Sequence, residues 1–136
     1  MYEELIEFNV LGDDRGSLIS LEQYKNIPFE IKRIYYIFGT RPDVPRGQHA
    51  HKNLDQILIC VKGSVKVKLD NGAAIKQFHL DKPNIGLKVS GLVWREMSEF
   101  SPDCVLLVLA SDYYKPEDYI RDYDEFLREV KLENNG

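Results

Sequence analysis

The stretch that decides the fold is residues 46–63, RGQHAHKNLDQILICVKG. It places His49 and His51 two positions apart, ahead of a largely apolar run that ends at Gly63. In a β-strand, side chains two positions apart lie on the same face, with Cα atoms roughly 6–7 Å apart. Both imidazoles would then line one surface and could bind a metal ion or transfer protons. An isolated His-x-His pair can also be chance surface polarity, so the surrounding sequence is needed to choose between these interpretations.

Segments of alternating apolar and polar residues occupy most of the chain up to about residue 110. They are rich in β-branched and aromatic residues, which favour strands. Turn signals such as Arg41-Pro42-Asp43 and Asp70-Asn71-Gly72 separate them. About ten short strands at near-regular spacing are typical of a β-sandwich or barrel. The sequence therefore predicts an all-β fold.

The last part of the chain has a different period. Pro116, followed by two acidic residues, is typical of a helix start. Apolar and aromatic residues then recur at three- and four-residue steps, so one face of the helix should pack on the β core. These residues are Tyr119, Ile120, Tyr123, Phe126, Leu127 and Val130. We expect a C-terminal α-helix over about residues 116–131, an N-terminal strand arm over about residues 1–11, and a single domain over residues 1–136.

Composition and charge exclude several classes of function. The chain has 18 Lys and Arg against 22 Asp and Glu, a net charge of −4, whereas nucleic-acid binding needs a basic face. No apolar run approaches the roughly 18 residues of a membrane span, and the acidic N-terminus is unlike a signal peptide. Cys60 and Cys104 lie in apolar runs, as expected of buried thiols in a reducing cytoplasm. We expect a cytoplasmic protein that binds neither nucleic acid nor a membrane.

The spacing around the histidine pair resembles the first cupin motif. His49-x-His51 is followed by four residues, Gln56, six residues and Gly63, and Glu normally occupies the position of Gln56. Residues 86–95 resemble the second cupin motif, which normally ends in His where this chain has Arg95. The resemblance implies a cupin double-stranded β-helix, or jelly roll.

The two departures from these motifs predict a site without a metal ion. A metal-binding cupin presents two His, one Glu and a third His, but this chain has the neutral amide of Gln56 and the guanidinium of Arg95. A guanidinium has no lone pair to donate and repels a cation. Two imidazoles and one amide are a weak ligand set for zinc, iron or manganese. We therefore expect no cofactor, which leaves His49 and His51 free for acid–base catalysis near their ordinary pKa of about 6.5.

Residues 31–38 offer further candidate groups for the inside of the barrel. Their alternation places Arg33, Tyr35 and Ile37 on one face, and an inward orientation of that face would add a cation and a phenol to the cavity. Four more arginines could lie at the same opening or remain solvated on the surface: Arg15, Arg41, Arg46 and Arg95. An acidic protein that concentrates arginine at a cavity is suited to a small anion such as a diphosphate.

Several segments together resemble the nucleotide-sugar 3,4-ketoisomerases, cupin enzymes that act on dTDP-4-keto-6-deoxyglucose. They are residues 15–18, 27–33, 35–38, 46–52, 94–97 and 103–114. The resemblance covers roughly residues 10–127 and is more specific than the cupin spacing. It implies an isomerase that moves the sugar carbonyl from C4 to C3 in deoxyaminosugar biosynthesis. It also implies a homodimer with exchanged N-terminal strands.

The resemblance implies roles for single residues. His49 would take a proton from C3, and His51 and Tyr35 would relay protons between the C3 and C4 oxygens through an enediolate. Strand spacing places both imidazoles on one wall, so either could take the first proton. Arg33 would offset the enediolate charge or hold the diphosphate. The secondary diphosphate ligands would be Arg41 and Arg46.

Positions 15 and 95 are tied to the configuration at C4 in this family. Arg at position 15 with His at position 95 resembles the galacto-forming type, and Tyr at position 15 with Arg at position 95 resembles the gluco-forming type. This chain combines Arg15 with Arg95, so both configurations stay open, and both arginines are expected to contact substrate. Other functions compatible with the sequence are a metal-free cupin deoxysugar epimerase, a non-catalytic cupin that binds a sugar nucleotide, and a metal-dependent cupin oxygenase.

Overall fold

The strands of this protein follow the alternation of its sequence. In β4 (Arg33–Ile37), the residues from Arg33 onward alternate between half-buried and exposed, as a strand with one face toward a core requires. Within residues 2–135, which the computed structural model describes, the chain forms twelve strands, one 3₁₀ turn and one α-helix. The all-β prediction, with a C-terminal helix, is confirmed.

Ten of the strands form two five-stranded antiparallel sheets. The first sheet has the order β1-β9-β6-β11-β4, formed by β1 (Tyr2–Glu7), β9 (Ile85–Ser90), β6 (Gln56–Lys62), β11 (Val105–Ala110) and β4. The second has the order β12-β5-β10-β7-β8, formed by β12 (Tyr119–Ile120), β5 (Arg46–His51), β10 (Trp94–Ser98), β7 (Val65–Asp70) and β8 (Ile75–Leu80). Neighbouring strands are mostly distant in sequence, which is the crossover pattern of the predicted jelly roll.

The core lies between the two sheets. Leu58 and Leu106 from the first sheet pack in one buried cluster with Val67 and Met97 from the second. Cys60 and Cys104 belong to this cluster as free thiols, so the prediction that they are buried is confirmed. The inner faces of the two sheets are therefore apolar except around one opening of the barrel.

The N-terminal arm lies along the first sheet. β1 pairs antiparallel with β9 of the same chain over its whole length. A separate hairpin follows, formed by β2 (Leu11–Asp13) and β3 (Gly16–Leu18), and all six of its residues are exposed. Met1, the first residue of the predicted arm, lies outside the described residues.

The predicted start of the C-terminal helix is wrong. Pro116–Asp118 form a 3₁₀ turn, Tyr119 and Ile120 form β12, and the α-helix α1 spans Tyr123–Asn135. The backbone of β12 pairs with the edge of β5, and Ile120 is fully buried there, so tertiary pairing overrides the local helix signal. The predicted packing of one helix face is confirmed, because Phe126 is buried against Trp94 of β10. Among the described helices, none has the length and apolar character that crossing a membrane requires.

Candidate functional site

One opening of the barrel holds a cavity of about 360 Å³ between the two sheets. Its lining comes from β4, β5, β10 and the segments on either side of the 3₁₀ turn: Arg33, Tyr35, Ile37, Arg46, Gly47, His49, Met97, Tyr114, Tyr119 and Arg121. The predicted shared face of Arg33, Tyr35 and Ile37 is confirmed, and this face points into the cavity, an orientation that the sequence leaves open. The structure brings four predicted site residues together at this cavity: Arg33, Tyr35, Arg46 and His49.

A β-bulge in β5 directs His49 into the cavity. On β10 the neighbouring residues Glu96 and Arg95 lie opposite Gly47 and His49 of β5. One residue of β5, Gln48, therefore has no partner on β10 and is the extra residue of the bulge. Gly47 has φ 88° and Gln48 has φ 48°, both in the left-handed region. A bulge bends the strand and changes the direction of the side chains that follow it. The Gly47-Gln48 pair therefore sets the orientation of the histidine that follows.

The two imidazoles face each other through their Nε2 atoms, which lie 3.2 Å apart. His49 Nδ1 donates to the Gly47 carbonyl oxygen at 2.7 Å, and His51 Nδ1 donates to the Asp118 carboxylate at 3.0 Å. Both acceptors are oxygens without a proton, so each Nδ1 must carry the hydrogen. The ring of Tyr119 packs on both imidazoles, with centroid distances of 5.0 Å and 4.3 Å.

Burial keeps the histidine pair neutral. Desolvation lowers the pKa of His49 to about 4, and the positive charge of Arg95 acts in the same direction. Desolvation is also the main cause that lowers the pKa of His51, followed by the charges of Arg95 and of His49. A neutral imidazole with its hydrogen on Nδ1 has a bare Nε2 that can accept a proton. At neutral pH the site therefore presents bases rather than imidazolium ions.

A second hydrogen-bonded chain orients the phenol of Tyr35. The buried Arg95 guanidinium donates to the amide oxygen of Gln56, and the Gln56 amide nitrogen donates to the Tyr35 hydroxyl oxygen at 3.1 Å. Because this oxygen accepts from Gln56, its own hydrogen is free to be donated into the cavity. Burial raises the pKa of Tyr35, so the phenol stays protonated at neutral pH. Tyr35 is therefore placed as a hydrogen-bond donor.

Arg33 lies over two aromatic rings at the cavity. Its guanidinium carbon is 5.3 Å from the centroid of Tyr35 and 5.8 Å from that of Tyr114. Its Nε is buried and has no hydrogen-bond partner among residues 2–135. A buried donor without a partner is costly, so this group is suited to an anionic ligand.

Three of the five arginines named from the sequence do not line this cavity in the described chain. Arg95 lies behind the cavity, fully covered, because Gln56 and the Val93 carbonyl oxygen bind its guanidinium. Arg41 is exposed in the loop between β4 and β5. Arg15 is exposed in the β2–β3 hairpin, where it forms a salt bridge with Asp13. Direct substrate contact by these three arginines stays a prediction.

Three residues of the site escape prediction from the sequence: Asp118, Tyr119 and Arg121. They lie in the segment that the sequence predicts to be helical, and a helix over residues 116–131 does not place them beside the histidine pair. A second helix-start signal was available in Asp122-Tyr123-Asp124-Glu125, which has the form of a capping box. A helix that begins at Tyr123 leaves residues 116–121 free to pair with β5, as the structure shows.

The side chains around the imidazoles do not fit a metal ion. The amide oxygen of Gln56, at the position where the cupin pattern has Glu, already accepts a hydrogen bond from the Arg95 guanidinium, whose positive charge would repel a cation. Across residues 2–135, no group of three or more His, Cys, Asp or Glu side chains is arranged to hold a metal ion. We therefore assign no chemical step to a metal.

Comparison with known proteins gives consistent matches. The family model described as "FdtA: WxcM-like, C-terminal" matches residues 1–131. The chain is 52% identical to TDP-4-oxo-6-deoxy-alpha-D-glucose-3,4-oxoisomerase of Aneurinibacillus thermoaerophilus over 139 residues, covering all of both chains.

Two solved structures are similar over nearly the whole chain. A 3,4-ketoisomerase from Helicobacter canadensis is 55% identical, with a TM-score of 0.94 over 96% of this chain and 98% of that one. A histidine-to-asparagine variant of the 3,4-ketoisomerase QdtA from Thermoanaerobacterium thermosaccharolyticum, in complex with TDP-4-keto-6-deoxyglucose, is 47% identical. Its TM-score is 0.93 over 96% of this chain and 94% of that one.

Proposed function

The chain belongs to the FdtA family of WxcM-like C-terminal domains, and we propose that it converts TDP-4-keto-6-deoxyglucose into the 3-keto isomer. The 3,4-ketoisomerase family named from the sequence is confirmed by the family model and by the 52% identical relative. One observation carries the assignment to this cavity: a neutral imidazole with a bare Nε2 and a phenol with a free hydrogen line the same space.

The reaction exchanges a carbonyl and a hydroxyl between neighbouring carbons. The proton on C3 is acidic because the C4 carbonyl can accept the electron pair, which gives an enediolate. We assign the removal of this proton to His49 Nε2, since His49 lines the cavity whereas His51 is fully buried behind it. Each positioned acid or base typically contributes about 10²–10⁴-fold in rate.

Tyr35 is placed to transfer protons to and from the sugar oxygens O3 and O4. Its free hydrogen would go to O4 as the C3–H bond breaks, so that charge on the enediolate oxygen is neutralised. The hydrogen of the O3 hydroxyl then returns to the Tyr35 phenolate oxygen as the C3 carbonyl forms, and C4 receives a proton from the base. The electron pair moves from C3 to C4 without a change in overall oxidation state. The step therefore needs no external oxidant.

The arginines at the cavity supply positive charge that stabilises the enediolate and binds the diphosphate. Arg33 has an unpartnered buried Nε, and Arg46 and Arg121 line the same cavity. Fixed guanidinium groups stabilise developing negative charge and bind phosphate oxygens in pairs. We assign Arg33 to the enediolate or the near phosphate and the other two to the diphosphate.

We also propose a homodimer, in which a second copy covers the outer face of β4. Ile34 and Tyr36 on this edge strand and Phe38 directly after it are 58%, 61% and 69% exposed. Large apolar side chains clustered on an exposed sheet edge favour association with another chain. In a dimer with exchanged arms, β1 would form the same ladder with β9 of the second copy and carry Arg15 toward that copy.

A reducing cytoplasm is the proposed location. The Sγ atoms of Cys60 and Cys104 are 3.8 Å apart, yet both residues are free thiols. Burial raises the pKa of Cys60 to about 12, so it is a poor nucleophile. Neighbouring unbonded thiols are typical of proteins in compartments that keep cysteine reduced.

The product formed in deuterated water tests the proposed function. Incubation with TDP-4-keto-6-deoxyglucose should give a sugar with its carbonyl at C3 and deuterium at C4, measured by NMR, and the C4 configuration is read from the same spectrum. A carbonyl that remains at C4 with an inverted neighbouring carbon would indicate an epimerase. Tight binding without turnover would indicate a sugar-nucleotide-binding protein. Either result would overturn the assignment.

A further inference from the structure

Asp118 is held in one orientation by three contacts to β5 and the residues after it. Its Oδ1 accepts from the Asn53 backbone N–H at 2.8 Å, and its Oδ2 accepts from His51 Nδ1 at 3.0 Å. Its backbone carbonyl oxygen accepts from the Lys52 N–H at 3.0 Å. The Asp118 side chain is only 16% exposed and His51 is fully buried. The carboxylate therefore has little freedom to release the imidazole.

This carboxylate determines which nitrogen of His51 carries the hydrogen. A carboxylate accepts hydrogen bonds and cannot donate them, so His51 must carry its hydrogen on Nδ1 and leave Nε2 bare. The Gly47 carbonyl oxygen imposes the same tautomer on His49. Two bare Nε2 atoms consequently face each other at 3.2 Å. Without a proton between them their lone pairs repel, and with one proton they form an N–H···N hydrogen bond of ordinary length.

We propose that Asp118 is a positioning residue that makes His49 and His51 act as a single base. By keeping His51 Nε2 bare, it lets a proton taken up by His49 be shared between the two rings. The inference rests on the proposed ketoisomerase function. Asp118 does not line the cavity, so it acts through His51 and not on the substrate.

In this arrangement the proton and the electron pair of the C3–H bond are both accounted for. The C3–H bond breaks, its proton binds His49 Nε2 and is held in a hydrogen bond to His51 Nε2, and its electron pair enters the enediolate. The positive charge gained by the pair is offset by the Asp118 carboxylate, against the opposing charges of Arg33, Arg95 and Arg121. The held proton exchanges with water, and delivery of a proton from the pair to C4 then restores the neutral pair.

Asp118→Asn tests the proposal because the structure determines how the new amide is oriented. The Asn53 N–H needs an acceptor, so the amide oxygen should stay on that side and the amide NH₂ should face His51 Nδ1. His51 would then carry its hydrogen on Nε2 and donate it to His49, which occupies the lone pair of the base. We expect kcat to fall by about 10²–10⁴-fold, as when a base is held in the wrong tautomer, with KM changed far less.

Glu117→Gln is the matched control. Glu117 is the preceding residue of the same 3₁₀ turn, and its side chain is exposed. The control loses the same charge without touching the histidines, so its kcat should stay within about twofold of wild type. Wild-type kcat in Asp118→Asn, or an equal loss in both variants, would overturn the positioning role.

The tautomer can be measured directly without substrate. In ¹⁵N-histidine-labelled wild-type protein, NMR should show His51 protonated on Nδ1 and bare on Nε2, and Asp118→Asn should show the reverse. A wild-type His51 with its hydrogen on Nε2 would reject the role of Asp118, whatever the variant does. Absence of turnover by the wild type would instead reject the ketoisomerase function, so the two failures are distinguishable.

Discussion

Gln56 lies between the buried guanidinium of Arg95 and the phenol of Tyr35, and its side-chain amide forms a hydrogen bond with each. The oxygen accepts from Arg95 and the nitrogen donates to Tyr35, a division of roles that a carboxylate cannot reproduce. At this position the chain departs from the cupin pattern, so the departure itself has a chemical use. A neutral amide satisfies the guanidinium and leaves the Tyr35 hydrogen directed at the cavity.

Gln56→Glu should therefore impair turnover although it adds only one charge. The carboxylate would pair with Arg95 and accept the Tyr35 hydrogen, which turns that hydrogen away from the substrate. We expect kcat to fall by about 10²-fold or more, since an acid is lost from its position. Gln77→Glu on the exposed face of β8 is the matched control and should keep wild-type kcat. Steady-state kinetics of both variants measure this, and equal activity of the two would contradict the role of Gln56.

The low pKa of His49 sets the pH range of activity. His49 is a base only while it is neutral, and its pKa is lowered to about 4. The neutral fraction therefore stays near one as the pH falls from 8 to about 5, and it drops only as the pH approaches 4. We expect kcat/KM, which reports the free enzyme, to be level over that range. A pH profile that falls with a midpoint near 6.5, the ordinary value for histidine, would contradict this.

At the scale of elements, the backbone conformation of the bulge in β5 sets the position of the His49 imidazole. Gly47 has φ 88°, and a Cβ added there would come within 3.1 Å of the Arg95 carbonyl oxygen and of Met97 Sδ. The Gly47 carbonyl oxygen also accepts the His49 hydrogen bond. A residue other than glycine would therefore shift both the strand pairing and the imidazole.

Gly47→Ala should lower both stability and kcat. Strain at positive φ costs on the order of 1–3 kcal/mol, and displacement of His49 should reduce kcat further. Gly39→Ala separates the two effects, because Gly39 has φ 65° with no atom within 4 Å of the added Cβ. We expect urea unfolding to show a loss of stability in both variants and kinetics to show a loss of kcat only in Gly47→Ala. Equal kcat in both would contradict the positioning role of the bulge.

The elements also show what the sequence can and cannot predict. Period-2 alternation correctly places Arg33 and Tyr35 on one face of β4, although it does not say which face is inner, and motif spacing correctly pairs His49 with His51. The Asp118–His51 contact joins residues 67 positions apart through a two-residue strand, and so short a strand has no periodicity to detect. The charge of Arg95 is likewise predictable, but its burial behind Gln56 depends on how the two sheets pack.

At the scale of the whole molecule, the exposed apolar face of β4 predicts a dimer. A double substitution, Ile34→Lys with Phe38→Lys, places two charges on this face and should shift the mass in sedimentation from a dimer toward the 15.8 kDa chain. Ile75→Lys alters another exposed apolar residue, on β8 of the second sheet, and should leave the mass unchanged. A wild-type protein that sediments as a monomer would contradict the proposed assembly.

The most direct test of the whole account is the exchange of the substrate C3 hydrogen with deuterated water, followed by NMR, in wild type and in His49→Asn. The variant keeps a side chain of similar shape but lacks the basic nitrogen. We expect wild type to exchange this hydrogen during turnover. The variant should still bind TDP-4-keto-6-deoxyglucose but exchange it about 10²–10⁴-fold more slowly. Exchange at the wild-type rate in the variant would show that the proton leaves C3 by a route that does not involve the paired imidazoles.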